Sequence, residues 1–316
     1  MTLLEIDSLT VDYPTRNGTV RAVNDVSIGL EKGQTLGIVG ESGCGKSTLG
    51  LAVIRLIPPP GILAEGSIKI DGTDVVHLPE NQVRELRGKV GFIFQDPMTS
   101  LNPVKRIGDH FVEFMRAHDN KISREEALDR SSKILESLGI LRERINDYPH
   151  QFSGGMRQRV MIGLGLALSP KLLIADEPTT SLDVIVEAQI LELMNKLKKE
   201  YNLTLILITH NIGIVAEMSD LIAVMYAGRV VELGPTEQIF ENPLHPYTKG
   251  LLESAPNIIH PERSMHPIPG SPPDLISPPT GCKFHPRCPH AFEPCPLSEP
   301  TLAKKERQLV ACHLYD

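Results

Sequence analysis

The chain has 316 residues, of which 41% are hydrophobic, and a formal net charge of −7 at pH 7. This apolar content suffices for a sizeable core in one large or two smaller domains, and it excludes global disorder. The negative charge and the absence of Trp disfavour a nucleic-acid binder that relies on overall positive charge or on base stacking. There is no secretory-signal pattern and no apolar run of the ~20 residues that a membrane helix needs, so we expect a soluble, cytosolic chain.

The N-terminal part of the chain predicts strands that lead into a glycine-rich loop. Alternating apolar residues predict two strands, in LLEIDSLTVDY and RAVNDVSIGL, and the apolar segment TLGIVG predicts a third. The segment GKSTLGLAVIRL then predicts a helix. An order of strand, glycine loop and helix is typical of the start of a parallel α/β unit.

The glycine loop GESGCGKST fits the phosphate-binding pattern G-x-x-x-x-G-K-S/T. The predicted nucleotide-binding residues of this loop are Gly40, Glu41, Ser42, Gly43, Cys44, Gly45, Lys46, Ser47 and Thr48. Glycines let backbone N–H groups point at phosphate oxygens, and the helix N-terminus adds its positive dipole end. Lys46 would bind the β- and γ-phosphates and Ser47 would ligate Mg²⁺, whereas Cys44 fills space in the loop. A chance glycine-rich turn is the alternative, and the strand–helix context argues against it.

The rest of the chain predicts an α/β core with a helical insertion. Residues from about 96 to 169 are polar and helical in pattern, as in REEALDRSSKILESLGI. KLLIADEP and LTLILITH predict buried strands with the helix IVEAQILELMNKLKKEY between them, and LIAVMYAGRVVELG predicts a final strand pair. We therefore expect one domain over residues 1–255. Residues 256–316 are dense in proline, which predicts a linker and a small irregular, cysteine-bearing extension.

Polar residues follow the predicted core strands at the edge where α/β sheets bind ligands. Asp176 would hold Mg²⁺ through water, and Glu177 would orient and deprotonate the attacking water, with capping of the next helix as the alternative. His210 ends a neighbouring strand and would contact the γ-phosphate, although a structural role is equally open. Gln95 follows VGFIF and would touch Mg²⁺ and the water, or else it is an ordinary surface residue.

A serine and two glycines open the helix FSGGMRQRVMIGLGLAL, which makes Ser153 either part of a second anion-binding helix N-terminus or a plain helix cap. The motifs GESGCGKST, FIFQD, FSGGMRQR, LLIADEP, SLD and ITH, in this order, resemble the ATP-binding subunit of an ABC transporter over residues 1–255. This resemblance implies an ABC-type P-loop NTPase fold with an N-terminal antiparallel β part and a helical insertion. Phe152 and Met156 depart from the commonest signature, LSGGQ, but its Ser-Gly-Gly core is intact.

The resemblance also implies an ATPase in which two nucleotide domains pair head to tail. The residues expected to contact ATP held on the other subunit are Ser153, Gly154, Gly155 and Gln158. Asp183 of SLD would lie at the interface of the pair, and Tyr13 would stack on adenine instead of serving as an ordinary strand residue. ATP would hold the closed state together, and its hydrolysis would release that state.

The segments FQDPMTSLNP, YPHQFSGGMRQR, NPLHPYTKGLL and PGSPPDL are similar to the ABC branch that imports oligopeptides, dipeptides or nickel. This implies a motor subunit for di- or oligopeptide import at the cytoplasmic face of the membrane. The implied partners are a second ABC ATPase subunit, two transmembrane permease subunits and an extracytoplasmic solute-binding protein, with no nucleic acid. A nickel or other small-solute importer is the alternative. A soluble ABC-type ATPase in nucleic-acid repair or translation is a rival of another class, which the single motif set disfavours.

The extension holds four of the five cysteines, Cys282, Cys288, Cys295 and Cys312. Their spacing, C-x5-C-x6-C-x16-C, fits neither the usual C-x2-C zinc pattern nor the common ferredoxin spacings. In a reducing compartment such thiols are expected to ligate metal instead of forming disulfides. The wide gaps favour a four-iron, four-sulfur (4Fe–4S) cluster, and the resemblance to cysteine-rich tails of peptide-import ATPases supports it. Zinc, four free thiols and mixed ligation by three nearby histidines are the alternatives. These are His285, His290 and His313.

Overall fold

The computed structural model describes residues 1–96, 100–180, 182–254 and 267–316. Three predicted features lie partly outside the described residues: the segment FQDPMTSLNP, the motif SLD and the proline-rich linker. The chain divides into two units, one formed by Met1–Val76 and Leu207–Asp316 and the other by His77–Ile206. Among the described residues, no helix combines the length and the apolar character required to cross a membrane.

The strands, in chain order, are β1 (Thr2–Thr15), β2 (Gly18–Glu31), β3 (Thr35–Val39), β4 (Ile62–Ile70), β5 (Thr73–Asp74), β6 (Val90–Ile93), β7 (Leu172–Asp176), β8 (Thr204–Ile208), β9 (Leu221–Tyr226), β10 (Arg229–Pro235), β11 (Ala303–Lys305) and β12 (Gln308–Val310). The α-helices are α1 (Lys46–Val53), α2 (Glu80–Arg87), α3 (Ile107–His118), α4 (Arg124–Ser137), α5 (Gly154–Leu166), α6 (Val184–Tyr201), α7 (Ile212–Met218), α8 (Thr236–Glu241), α9 (Pro246–Glu253) and α10 (Pro294–Leu297).

The first unit contains the predicted antiparallel part, a four-stranded sheet in the order β2-β1-β4-β5. In its register, Ile6 of β1 lies opposite Ile28 of β2 and Ile68 of β4. These three residues are buried, so one face of the sheet forms part of the core. The alternation that predicted β1 and β2 therefore reflects a sheet with one buried face.

The same unit carries the strand that leads into the phosphate loop. β3 pairs in parallel with β9, with Ile38 opposite Ala223, and β9 pairs antiparallel with β10. All five residues of β3 are buried, which explains its continuous apolar sequence. The carboxyl end of β3 delivers the loop to the N-terminus of α1.

The tail belongs to this first unit instead of forming an irregular extension beside it. β12 pairs antiparallel with β10, with Val310 opposite Glu232, and β11 pairs with β12 as a hairpin. Phe284 of the tail is 2% exposed and packs with Tyr226 and Tyr247 in the apolar core of the unit. The tail thus extends a sheet and supplies core side chains, a role that its proline content did not reveal.

The second unit combines parallel strands with the predicted helices. β6 and β7 pair in parallel, with Phe92 opposite Ile174, and the order of strands is β8-β7-β6. The glycine-rich helix α5 approaches its neighbours closely, because a Cβ on Gly163 would lie 3.0 Å from Leu138 and 3.1 Å from Phe111. Close packing of this kind explains why α5 carries glycine within a helix.

Candidate functional site

The phosphate loop closes onto the start of α1 through a glycine and a buried lysine. Gly45 caps the helix with φ of 103°, and a Cβ there would lie 2.0 Å from the carbonyl oxygen of Ala22, so glycine is required. Lys46 is 6% exposed, and its Nζ donates to the carbonyl oxygens of Gly40 at 2.7 Å and Glu41 at 2.9 Å. The loop therefore places a buried ammonium group at a helix N-terminus, an arrangement suited to binding anions.

The remaining loop residues differ in exposure. Ser42, Gly43 and Ser47 are exposed, and Thr48 is partly buried. Cys44 is buried, its Sγ lies 3.8 Å from Lys46 Nζ, and burial raises the pKa of the Cys44 thiol. A protonated, buried thiol favours the expected space-filling role of Cys44.

Two residues that the sequence did not single out contact the loop at Glu41. The Tyr247 hydroxyl accepts a hydrogen bond from the Glu41 N–H at 2.8 Å. The Arg287 guanidinium donates to both carboxylate oxygens of Glu41, at 2.6 and 2.9 Å. Tyr247 lies in the segment HPYTKGLL and Arg287 directly precedes Cys288. These positions mark both residues as part of notable segments, but the sequence does not indicate that either residue contacts the phosphate loop.

His210 and Tyr13 lie in the same unit as the phosphate loop. The N–H of Thr209 donates to the carbonyl oxygen of Ile38 at 3.1 Å, which places the residue before His210 beside the end of β3. His210 itself is exposed. Tyr13 is partly buried on β1, and its ring lies against Gly61, where a Cβ would meet Tyr13 Cε1 at 2.5 Å.

In the second unit, the predicted base and the predicted water-binding amide are in direct contact. Asp176 is the buried last residue of β7, and Glu177 follows it with a left-handed φ of 46°. Gln95 Nε2 donates to Glu177 Oε2 at 2.9 Å, and the Thr180 hydroxyl donates to the same oxygen at 2.8 Å. A left-handed backbone is unusual for glutamate and is found where surrounding structure enforces it. These contacts orient the Glu177 carboxylate at the end of the strand.

The signature helix α5 begins as predicted. Ser153 is its N-cap and is exposed, and its hydroxyl accepts from the N–H of Met156 at 3.4 Å. A Cβ on Gly155 would lie 2.5 Å from Val186 Cγ1, so the second glycine lets the helix pack against the start of α6. Gln158 differs from the other signature residues because only 1% of it is exposed, and its Nε2 donates to none of the described groups.

The two departures from the commonest signature share one partner. The guanidinium of Arg144 lies 4.4 Å from the centre of the Phe152 ring, and Arg144 Nη1 lies 3.5 Å from Met156 Sδ. Arg144 is itself fixed by Asp147 at 2.8 Å. Phe152 and Met156 therefore form a local packing arrangement around Arg144 that leaves the Ser-Gly-Gly core in place.

Asp183 adjoins the signature through the start of α6. Its carboxylate caps α6 by accepting from the N–H of Val186 at 3.0 Å. The two residues that follow, Val184 and Ile185, are 81% and 72% exposed. The capping role explains Asp183, but it does not explain why the two apolar residues after it are exposed.

The four tail cysteines line one small cavity together with His245, Phe284, His285, His290 and His313. The backbone brings two of them together, since the N–H of Cys282 donates to the carbonyl oxygen of Cys295 at 2.8 Å. Burial raises the pKa of Cys282 and Cys288, and it raises the pKa of Cys312 to about 11. The structure does not support the predicted metal site, because no group of three or more Cys, His, Asp or Glu side chains in the described ranges is arranged to hold a metal ion.

Residues 23–180 match the model of the ABC transporter family. The chain therefore belongs to the ABC transporter ATP-binding family, and its P-loop α/β fold and ATPase activity, predicted from the motifs, are confirmed. Residues 231–295 match the model of the oligopeptide/dipeptide transporter C-terminal region. The peptide-import branch predicted from the sequence is thus confirmed, and neither the nickel alternative nor the nucleic-acid alternative is favoured.

The relatives agree with this placement. The chain is 47% identical over 313 residues to the oligopeptide transport ATP-binding protein OppD of Salmonella typhimurium. The aligned region covers 98% of this chain and 93% of the relative. It is 49% identical over 307 residues to OppD of Bacillus subtilis, covering 96% and 86%. Among solved structures, the dimeric ATP-binding cassette MJ0796 in a post-hydrolysis state with ADP and phosphate matches with a TM-score of 0.66 and 27% identity, over 74% of this chain and 99% of that chain. The chain is an ATPase of an oligopeptide/dipeptide ABC importer.

Proposed function

We propose that the chain works as one half of a head-to-tail pair, in which the phosphate loop of one subunit and the signature helix of the other bind the same ATP. The observation that carries this proposal is the exposed surface around Ser153, Asp183, Val184 and Ile185. These residues form one region, since a Cβ on Gly155 would meet Val186, three positions beyond Asp183. Two large apolar side chains, Val184 and Ile185, are exposed next to each other at the start of α6. Such a pair is expected where a protein partner covers the surface, and it is unusual where a helix start faces solvent. The dimeric form of the related MJ0796 cassette supports the same reading.

We infer the following roles for the residues predicted to bind nucleotide and Mg²⁺. Lys46 and the N–H groups of the loop bind the phosphates, and Ser47 offers a hydroxyl oxygen to Mg²⁺. Asp176 and Gln95 offer a carboxylate and an amide oxygen, which are the hard ligands that Mg²⁺ takes. When bound, Mg²⁺ neutralises charge on the β- and γ-phosphates.

Glu177 is the proposed general base for the attacking water. Its Oε2 is held by Gln95 and Thr180, so the carboxylate is oriented before substrate arrives. Gln95 would also place the water, and His210 would contact the γ-phosphate. Such preorganised contacts accelerate phosphoryl transfer by positioning, because the reaction itself needs little covalent chemistry from the protein.

The variant Glu177→Gln tests this role. We expect it to keep ATP bound, to lower turnover by about 10²- to 10⁴-fold and to accumulate as a nucleotide-bound pair. The rate of ATP hydrolysis is measured in the reconstituted transporter. The oligomeric state of the purified chain, monomer or dimer, is measured in the presence of ATP. Thr180→Val is the matched control, because it removes one hydrogen bond to Glu177 but keeps the carboxylate, and a smaller loss is expected. Turnover near the native rate in Glu177→Gln would exclude Glu177 as the base.

We further propose that the chain acts at the cytoplasmic face of the membrane, with a second ATPase subunit, two permease subunits and a solute-binding protein. The match of residues 231–295 to the oligopeptide/dipeptide transporter C-terminal region supports this assembly. Docking on the permease subunits would use the helical insertion, and Gln95, which links the core to it, would couple ATP state to their motion. Co-purification with tagged permease subunits, compared between nucleotide-free and ATP-bound preparations, tests the assembly. Recovery of the chain with nucleic acid and without permease would contradict it.

For the tail, we propose that Cys282, Cys288, Cys295 and Cys312 hold a 4Fe–4S cluster. The support is the chemistry of four soft sulfur ligands around one cavity, together with the greater span of a cluster than of a single ion. Ligation would require loss of the thiol protons that burial now favours, so uptake should be pH-dependent. Anaerobically purified protein should then be brown and contain about four irons per chain. Colourless protein with one zinc per chain, or without metal, would refute the cluster.

A further inference from the structure

An arginine–carboxylate ion pair, largely shielded from solvent, joins the tail to the phosphate loop. Arg287 is 6% exposed at its side chain and Glu41 is 25% exposed. The two Nη atoms of Arg287 each donate to a different oxygen of the Glu41 carboxylate, at 2.6 and 2.9 Å. This bidentate geometry is the strongest form of an arginine–carboxylate pair, and it fixes the orientation of both side chains.

Arg287 is held in place independently of Glu41. Its Nε donates to the carbonyl oxygen of Pro269 at 2.8 Å, and its Nη1 also reaches the Tyr226 hydroxyl at 3.3 Å. The guanidinium lies 5.8 Å from the centre of the Tyr226 ring and 6.0 Å from that of Phe284. The hydrogen bonds to Glu41 raise the pKa of Arg287 still further above its usual value, so its charge is permanent. A fixed cation is therefore aimed from the tail at the loop.

Glu41 is held at its backbone as well as at its carboxylate. Its N–H donates to the buried Tyr247 hydroxyl at 2.8 Å, and its carbonyl oxygen accepts from Lys46 Nζ at 2.9 Å. The rings of Tyr247 and Tyr226 are 4.7 Å apart at their centres, so the same aromatic group supports both contacts. One loop residue thus joins the tail, the helix α9 and the lysine that is proposed to bind phosphate.

We propose that Arg287 is a positioning residue for ATP binding, which holds Glu41 and the mouth of the phosphate loop in the conformation that accepts phosphates. This inference rests on the proposed role of the loop in binding ATP and assigns to the tail a part in that role. Arg287 acts in two ways. It removes conformational freedom from the loop before ATP binds, and it neutralises a carboxylate that would otherwise repel the triphosphate.

The central experiment compares Arg287→Met with Arg307→Met in the full chain. Arg307 is an exposed arginine of the same tail, so its variant makes the same change in net charge away from the loop. Calorimetric titration with Mg·ATP should show about tenfold weaker binding for Arg287→Met, equivalent to about 1.4 kcal/mol, and no change for Arg307→Met. In the reconstituted transporter, KM for ATP should rise about tenfold while kcat changes less than about twofold, since the loop is misplaced but the base is not.

A rescue separates positioning from simple stability. Adding Glu41→Gln to Arg287→Met removes the unpaired carboxylate and should recover part of the lost affinity, because the two residues form one interacting pair. Arg287→Lys keeps the charge but cannot make both hydrogen bonds to the Glu41 carboxylate, and we expect about threefold weaker ATP binding. If Arg287→Met does not fold, Arg287→Lys decides the matter.

The outcomes distinguish this inference from the function on which it rests. Native affinity in folded Arg287→Met, or in Arg287→Lys, would overturn the positioning role. Lys46→Ala provides the separate check on the loop. If Lys46→Ala also binds ATP with native affinity, the proposed ATP site itself fails. If Lys46→Ala abolishes binding while Arg287→Met leaves it intact, only the role of the tail is refuted.

Discussion

The docking of the tail onto the first unit can be tested by removing one ring. Phe284 is 2% exposed, and its ring centre lies 5.2 Å from that of Tyr226 and 5.4 Å from that of Tyr247. Both contacts are edge-to-face, the geometry that aromatic pairs prefer. Truncation to alanine removes a fully buried ring and leaves a cavity among neighbours that are themselves tightly packed.

We expect Phe284→Ala to lower the free energy of unfolding of this unit by about 3–5 kcal/mol, the usual range for a buried phenylalanine. For a unit of this size, each 1 kcal/mol corresponds to about 2–4 °C in Tm, so the shift should be about 6–20 °C. The matched control is Phe292→Ala in the same tail, because Phe292 is 44% exposed and should change Tm by no more than a degree or two.

Differential scanning calorimetry of the full chain provides the measurement, with the transition of the first unit identified by its response to ATP. Urea denaturation followed by tyrosine fluorescence gives a second estimate of the same loss. A Tm for Phe284→Ala within about 2 °C of the native value would show that the tail does not share the core, and the packing argument would be wrong. An equal loss in Phe292→Ala would refute it in a different way, by showing that burial does not decide the effect.

Two other variants test the signature helix and the buried histidine. Gly155→Ala should destabilise the second unit by about 1–3 kcal/mol, and Val186→Ala should restore it in the double variant; failure of that rescue would exclude the Val186 contact as the cause. If turnover stays low in the rescued double variant, Gly155 has a role in ATP contact beyond packing. Burial lowers the pKa of His245 to about 3, whereas an unfolded histidine titrates near ~6.5. The unfolded state therefore takes up the proton first as the pH falls, and lowering the pH from 7.5 to 5.5 should cost about 1.4 kcal/mol of stability through this residue. Denaturation of His245→Gln at both pH values should show this part of the pH dependence removed, and an unchanged slope would contradict the lowered pKa.

The core strands could be predicted because short runs of apolar residues in the local sequence indicate that the strands are buried. The five residues of β7 are all buried and all apolar except the last, and those of β3 are all buried and apolar after Thr35. Asp176 and Glu177 could be placed at a strand end for the same reason, since the apolar run stops where the polar pair begins. The contact of Gln95 with Glu177 joins residues 82 positions apart, and the sequence did not predict it, although both residues were placed near the same attacking water.

The tail could not be predicted in the same way. The strands β11 and β12 have three residues each and carry no alternating pattern, so only the pairing of β12 with β10 and of β11 with β12 makes them strands. The ion pair between Arg287 and Glu41 spans 246 positions, and no local preference indicates it. The cysteine spacing did indicate that the four thiols converge, but spacing alone does not fix the positions of their sulfur atoms, and the arrangement among the described residues holds no single ion.

The division of the chain into units has a consequence for its synthesis. His77–Ile206 is continuous, so this unit can begin to fold once it has left the ribosome. The other unit is assembled from both ends of the polypeptide, and Met1–Val76 must wait for Leu207–Asp316 to emerge. Until then β3 lacks its parallel partner β9, although β1, β2 and β4 can already pair with one another. The unpaired edge of β3, whose residues are apolar after Thr35, makes this interval the stage at which a translating cell most needs chaperones to protect the nascent protein.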